Sequence, residues 1–329
     1  MKRRTFHVAS RRSLLKASAA AWLGASLPAA RPQDTARRVA LLGIVAGANT
    51  PRDRFRSRLA ELGWIEGKTL ILDMRFTQGD GARIAPLTDE LLALQPDVFV
   101  APFDTMALAA AASTSKVPIV FVGGTDPVAY GLVRSLSHPG GNATGFSPSG
   151  VELGRKGLSL FKEAVPALKR VGVMVGSRDR FKVESLDEVA RPLGLTLLQF
   201  ELTRPDDIDQ AFQAFTKAGA NGVMDYAGTP STFAVRDRLA ALALEHRLPM
   251  LVGSGQFDSG GLLSYGPNTT DLFRRAAELV DRILRGTKPA DIPVEQPSVY
   301  DFVVNLRTAH ALGLNLPQSV LLRATRLIE

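Results

Sequence analysis

At 329 residues the chain exceeds the roughly 250 to 300 residues at which a single core stops growing, so two domains are expected. Hydrophobic residues make up 45% and charged residues 22%, which excludes a disordered chain. The formal charge of +8 falls to +2 once six basic side chains in the first 30 residues (Lys2, Arg3, Arg4, Arg11, Arg12, Lys16) are removed. That remainder, with no dense Lys/Arg stripe, excludes nucleic acid as a partner. The lack of cysteine excludes disulfides, thiolate metal sites and a lipid anchor on an N-terminal cysteine.

Residues 1–30 read as an address. Arg11 and Arg12 precede an apolar run over 17–27 that ends in Pro28-Ala29-Ala30, a pattern that looks like a twin-arginine export signal cleaved after Ala29 or Ala30. The run is short of the roughly 20 residues that span a bilayer, and the competing reading is an N-terminal amphipathic helix. A soluble periplasmic chain is the expectation.

From residue 39 onward strands and helices alternate. Residues 39–45 form a continuous apolar run, as a parallel strand covered on both faces requires. Thr50 can cap the next helix and Pro51 fits its first turn; Phe55, Leu59 and Leu62 share one face and Gly63 ends it. Strand 69–76, helix 82–94, strand 98–101, helix 106–112 and strand 118–122 follow. Residues 139–145 are turn-rich and read as a first crossing between lobes or as a surface loop of one lobe. The rhythm restarts with strand 170–175, helix 182–191, strand 195–202, helix 206–218, strand 222–226, helix 232–246 and strand 249–252. Two such series imply an α/β chain of two parallel-sheet lobes.

Residues 260–267 read as a short strand, and helix 270–284 repeats apolar residues at Leu272, Ala276, Leu279 or Val280, and Ile283. The proline-rich stretch 289–297 reads as another crossing, before strand 299–304 and helix 308–312. The expected division is a signal over 1–30, a first lobe from 38–142 with about 268–296 and the C-terminal tail, and a second lobe over 143–265.

Several stretches resemble the ABC transporter substrate-binding family, in the branch whose members bind tryptophan or tyrosine. They are Phe55-Arg56-Ser57-Arg58-Leu59-Ala60-Glu61-Leu62-Gly63-Trp64 with Glu66-Gly67-Lys68, and Pro118-Ile119-Val120-Phe121 with Asp126-Pro127-Val128 and Gly131-Leu132-Val133. Pro139-Gly140-Gly141-Asn142 with Thr144-Gly145, Gly260-Gly261-Leu262 with Ser264-Tyr265-Gly266, and Leu312-Gly313-Leu314 continue the series in register. The resemblance runs from residue 39 to 329. It implies a type I periplasmic binding protein: two Rossmann-like lobes joined by a three-stranded hinge, enclosing a ligand. Pro102-Phe103-Asp104-Thr105 departs from the small residues usual in the family after the third strand, which puts a ring and a carboxylate at the pocket.

In open parallel sheets a ligand binds beyond the carboxyl ends of the strands, where helix N-termini present unpaired N–H groups suited to a carboxylate. That rule selects Asn49, Thr50, Thr105, Thr125, Asp126, Ser177, Thr229, Ser254 and Gln256 as hydrogen-bonding candidates. It selects Phe103 and Tyr226 as flat surfaces and Asp104 as partner for a ligand ammonium. Thr50 and Asp126 have competing roles as caps, and Tyr226 as core. His138, His246 and His310 are widely separated, and no GxGxxG, P-loop, HExxH or EF-hand spacing is present, so no catalytic residue, cofactor or metal is expected. The resemblance implies a monomeric solute-binding component that hands a small molecule, by preference an amino acid or an aromatic or hydrophobic carboxylate, to an ABC permease in the cytoplasmic membrane. A sensory protein of the same fold is the alternative, and an exported α/β enzyme the third reading.

Overall fold

The computed structural model describes residues 36–46, 50–123, 126–148, 150–175, 186–202, 204–226 and 229–329. The expected export signal, residues 182–185 of the expected helix 182–191, and Asn49, Thr125 and Ser177 lie outside the described residues; residues 186–190 are helical.

The first series of elements is β1 (Arg37–Gly43), α1 (Thr50–Glu61), β2 (Leu70–Phe76), α2 (Ile84–Ala93), β3 (Val98–Ala101), α3 (Asp104–Ser113), β4 (Ile119–Val122) and β5 (Ala143–Phe146). Then come α4 (Gly150–Ala164), β6 (Arg170–Val175), β7 (Thr196–Glu201), α5 (Ile208–Lys217), β8 (Gly222–Asp225), α6 (Pro230–Ala234), α7 (Arg236–Glu245), β9 (Met250–Val252) and β10 (Leu263–Pro267). The chain ends with α8 (Thr269–Leu284), β11 (Tyr300–Asn305), α9 (Leu306–Ala311), α10 (Gln318–Arg323) and β12 (Arg326–Ile328).

Among the described residues the strands make two sheets, ordered β2-β1-β3-β4-β5 and β12-β11-β10-β9-β8-β6-β7. Every pairing is parallel except β10 with β11. The apolar runs are continuous because each sheet is covered on both faces. Along β1, Val39 and Leu41 join a core with Phe55 of α1 and Leu272 of α8, while Ala40 and Leu42 join the opposite core with Leu91 of α2 and Met106 of α3. The second sheet divides likewise: Val171 and Val173 pack towards α4, and Met174 packs towards α5. Gly172 is bare on the α5 face because a Cβ there would lie 2.5 Å from the Phe215 ring.

The structure corrects the expected division at two places. Strand β5 pairs parallel with β4 and so belongs to the first sheet, which moves the first crossing from 139–145 to the stretch after Phe146. The turn-rich loop is instead tied to its own lobe by Asn142, whose Nδ2 donates to Thr114 O and Val117 O at 3.0 and 2.8 Å. The tail does not return to the first lobe: β11 pairs antiparallel with β10, β12 pairs with β11, and Phe302 and Val304 are buried in the second core. Helix α8 does cross to the first lobe, capped by Asn268, whose Oδ1 accepts from Asp271 N at 2.8 Å. It packs on α1, with Phe55 and Phe273 edge to face at 6.4 Å and Trp64 Nε1 donating to Asp281 at 2.8 Å.

The crossings are stitched to one another. Ser147 N donates to Glu295 O and Glu295 N to Gly145 O, at 3.0 and 2.9 Å, and Asn268 N donates to Val299 O at 2.9 Å. Arg275 of α8 pairs with Glu295 and lies 4.7 Å from the Phe146 ring centroid, so one side chain touches the segments that lead into two crossings.

The C-terminal helix α10 is fastened to α4 through Glu163, which accepts from Ser319 Oγ at 2.9 Å and pairs with Arg323. The Arg323 guanidinium, and then the Ser319 hydroxyl, hold the Glu163 carboxyl below the ordinary carboxylate range. Its stabilising contribution is therefore complete above the ordinary glutamate pKa and is lost as pH falls through the lowered value. Both side chains are about 40% exposed, so solvent screening limits the effect. Glu163→Gln is expected to cost about 0.5 kcal/mol at neutral pH and nothing in strong acid. Melting curves across that pH range check this, and an equal cost at both ends would count against it.

Candidate functional site

The carboxyl ends of both sheets face a cavity of about 470 Å³. The first lobe contributes Gly43 to Val45 after β1, Pro102 to Thr105 after β3, and Val122 and Gly123 after β4; α8 adds Leu272 and Phe273. The second lobe contributes Asp225 and Tyr226 after β8, Thr229 to Ser231 at the start of α6, Gly253 to Gln256 after β9, and the face of α4 that carries Gly150, Gly154 and Gly157. The walls are mainly apolar, which is the usual make-up of a small-molecule site.

The polar groups are few and placed at strand ends. Asp225 closes an otherwise apolar strand and is 4% exposed; Gln256 is 2% exposed. Gln256 Nε2 donates to Asp225 Oδ2 at 3.0 Å. A carboxylate offers acceptors alone, so the amide must present its nitrogen there, and Oε1 is left buried without a hydrogen-bond partner among the described residues. A buried acceptor of this kind costs free energy until a donor meets it. Across the cavity, Thr105 Oγ1 is likewise buried and unpartnered, in the first turn of α3. The N-cap of that helix, Phe103, makes no side-chain capping bond; its carbonyl accepts from Met106 N and Ala107 N at 3.1 and 2.9 Å, and the N-terminus of the helix borders the cavity. Arg52 also lines the cavity; its Nη1 donates to Val45 O at 3.0 Å and its guanidinium lies 5.1 Å from the Phe76 ring centroid.

The lobes touch at the cavity rim. Ser231 Oγ at the start of α6 donates to Gly79 O in the turn after β2 at 2.8 Å. Gly79 has φ +80°, and a Cβ there would lie 2.4 Å from Ala234 Cβ, so glycine serves both the turn and the close approach. Phe103 and Phe233, from opposite lobes, meet edge to face at 6.4 Å. Because the Ser231 bond spans the lobes, Ser231→Ala is expected to weaken ligand binding about fivefold, the worth of one hydrogen bond of about 1 kcal/mol. Calorimetry measures this, and an unchanged affinity would show that the lobe-to-lobe contact does not contribute to ligand binding.

Of the residues singled out from sequence, Phe103, Asp104, Thr105, Tyr226, Thr229, Ser254 and Gln256 line the cavity. Thr229 also caps α6, accepting from Thr232 N at 3.2 Å. Asp104 sits in the first turn of α3, where its charge complements the helix dipole. Thr50 and Asp126 are exposed and lie off the cavity; Asp126 Oδ1 accepts from Ala129 N at 2.9 Å and so serves its own turn. Sequence reasoning passed over Arg52, Asp225, Ser231, Phe233 and the glycine face of α4. Asp225 had a legible signal, a carboxylate ending an apolar strand just before the selected loop. Among the described residues no group of three or more His, Cys, Asp or Glu side chains is arranged to hold a metal ion. His246 stacks on Phe212 at 5.6 Å, away from the cavity.

Similarities to four individual proteins bear on this geometry. The chain is 26% identical over 268 residues to the tyrosine-binding protein of Clostridioides difficile, covering 79% of this chain and 75% of that one. A conserved domain protein from Vibrio cholerae superposes with a TM-score of 0.81 at 26% identity, over 89% of this chain and all of the other. The ABC domain from Streptococcus pneumoniae in complex with L-Trp superposes with a TM-score of 0.79 at 25% identity, with the same coverage. A leucine-binding protein from Thermotoga maritima shares the fold at 14% identity, which makes the architecture that of the type I periplasmic binding proteins. The match to the family described as ABC transporter substrate binding protein extends over residues 39–328, so two parallel-sheet lobes around a shared cavity are here the frame of a member of that family.

Proposed function

We propose that the chain is the periplasmic solute-binding component of an ABC importer, and that it captures an amino acid with an aromatic or hydrophobic side chain without altering it chemically. The observation that carries this reading is the cavity itself: mainly apolar, at the strand ends of both lobes, with a carboxylate on one side and, on the other, a helix N-terminus whose Thr105 Oγ1 is buried without a partner among the described residues. In this reading the ligand ammonium meets Asp225 and the free Oε1 of Gln256, and the ligand carboxylate meets the first turn of α3 and Thr105. This reassigns the ammonium from Asp104 to Asp225. The similarity to tyrosine- and tryptophan-binding proteins supports the same ligand class. Handing the ligand to a permease in the cytoplasmic membrane is the role that membership of the family supports.

Thermal-shift screening against amino acids, aromatic acids and sugars, followed by calorimetry, tests the reading. A ligand at a hundredfold excess over Kd stabilises by roughly 2.7 kcal/mol, which raises Tm by about 5 to 10 °C. A shift with sugars alone, or formation of a product from the bound molecule, would overturn it.

A further inference from the structure

We infer that Gly154 sets the size of the ligand this protein accepts, by seating the ring of Tyr226 against helix α4 and so emptying the middle of the cavity. The inference rests on the small-molecule reading of the cavity given above and goes on to name the residue that selects among such molecules.

Gly150, Gly154 and Gly157 recur at spacings of four and three, which puts them on one face of α4, and all three line the cavity. Glycine is the poorest helix former after proline, so two in the helix interior need a reason outside the helix. At Gly154 the reason is close approach: a Cβ there would lie 2.4 Å from Tyr226 Cε2, 2.9 Å from Leu186 Cδ1 and 3.1 Å from Tyr226 Cζ, so the ring is the tightest neighbour. The Tyr226 hydroxyl reaches one turn back and donates to Gly150 O at 3.3 Å. The ring thus lies along bare helix backbone. At Gly157 a Cβ would meet Leu251 at 3.2 Å, so the same face admits a second side chain of the cavity wall.

An independent observation marks the space in front of this ring as ligand space: Gln256 Oε1, buried and without a partner among the described residues, belongs to the same cavity wall. A methyl group at position 154 cannot coexist with the present ring position. Relief by a swing of the ring into the adjoining cavity takes the volume that a large ligand side chain would use. A small ligand side chain leaves that volume unused and is indifferent to the change.

The experiment measures calorimetric affinity for four probes: L-tryptophan, L-alanine, and their counterparts without the ammonium, indole-3-propionate and propionate. Gly154→Ala is expected to weaken the indole probes more than tenfold and the small probes less than threefold. Tyr226→Trp, which enlarges the ring while leaving α4 unaltered, should reproduce the same size-selective loss and covers the case in which Gly154→Ala does not fold. The double variant Gly154→Ala/Tyr226→Ala should restore binding of the indole probes. Equal loss for both sizes, or no loss, overturns the inference. If wild type binds each probe with and without ammonium equally while the size effect appears, the ammonium assignment fails and the inference stands. If wild type binds none of the four, both fall.

Discussion

Asp225→Asn is expected to weaken binding of an amino acid about a hundredfold while leaving the fold intact. The substitution is isosteric, so an amide oxygen can still accept from Gln256 Nε2 in place of the present 3.0 Å bond. What disappears is the negative charge at a site that is 4% exposed, where a charge-assisted hydrogen bond is worth about 1.5 to 3 kcal/mol; roughly 2.7 kcal/mol corresponds to the hundredfold loss. The control lies in the ligand: a carboxylate lacking the ammonium should bind wild type and variant alike. Equal losses for both ligands, read by calorimetry, would mean that Asp225 holds the cavity in shape and does not meet the ammonium.

Gly145→Ala is expected to be the most destabilising single methyl addition near the hinge. Gly145 lies opposite Phe121 in the β4–β5 pairing, and a Cβ there would sit 2.0 Å from Phe121 O and 2.8 Å from Phe121 C. These are backbone atoms that cannot rotate away, so the strands must separate or the residue must turn. Its own carbonyl accepts from Glu295 N at 2.9 Å, so either movement disturbs the join between two crossings as well. A cost of about 3 kcal/mol follows, seen as a Tm lowered by about 6 to 12 °C. A melt within a degree or two of wild type would show that β5 can shift without consequence.

The two glycines at these close approaches illustrate where sequence reading loses its grip. Gly145 was legible as part of a turn-rich run, and that composition pointed to a crossing or a surface loop. Its actual service is to let a four-residue strand lie against β4, a demand made by a neighbour more than twenty residues away. Gly154 recurs with Gly150 and Gly157 on one helix face, but nothing local names its partner, since Tyr226 arrives from the end of β8. Candidates chosen by the strand-end rule fared differently: Phe103, Thr105, Tyr226 and Gln256 line the cavity because that rule is geometric and holds for any parallel sheet. Asp126 satisfied the same rule and still lies off the cavity, as its side chain is occupied by its own turn.

Local periodicity, by itself, determined the alternation of strands and helices, the doubling into two parallel-sheet lobes and the strand-end loops from which the cavity is built. Such features depend on residues a few positions apart. The tertiary structure alone decided that the tail joins the second sheet, that Asp225 and Gln256 meet, and that α4 turns a bare face to Tyr226. Each of those depends on which strands pair and which helix backs them, choices settled by the packing of surfaces far apart in the chain.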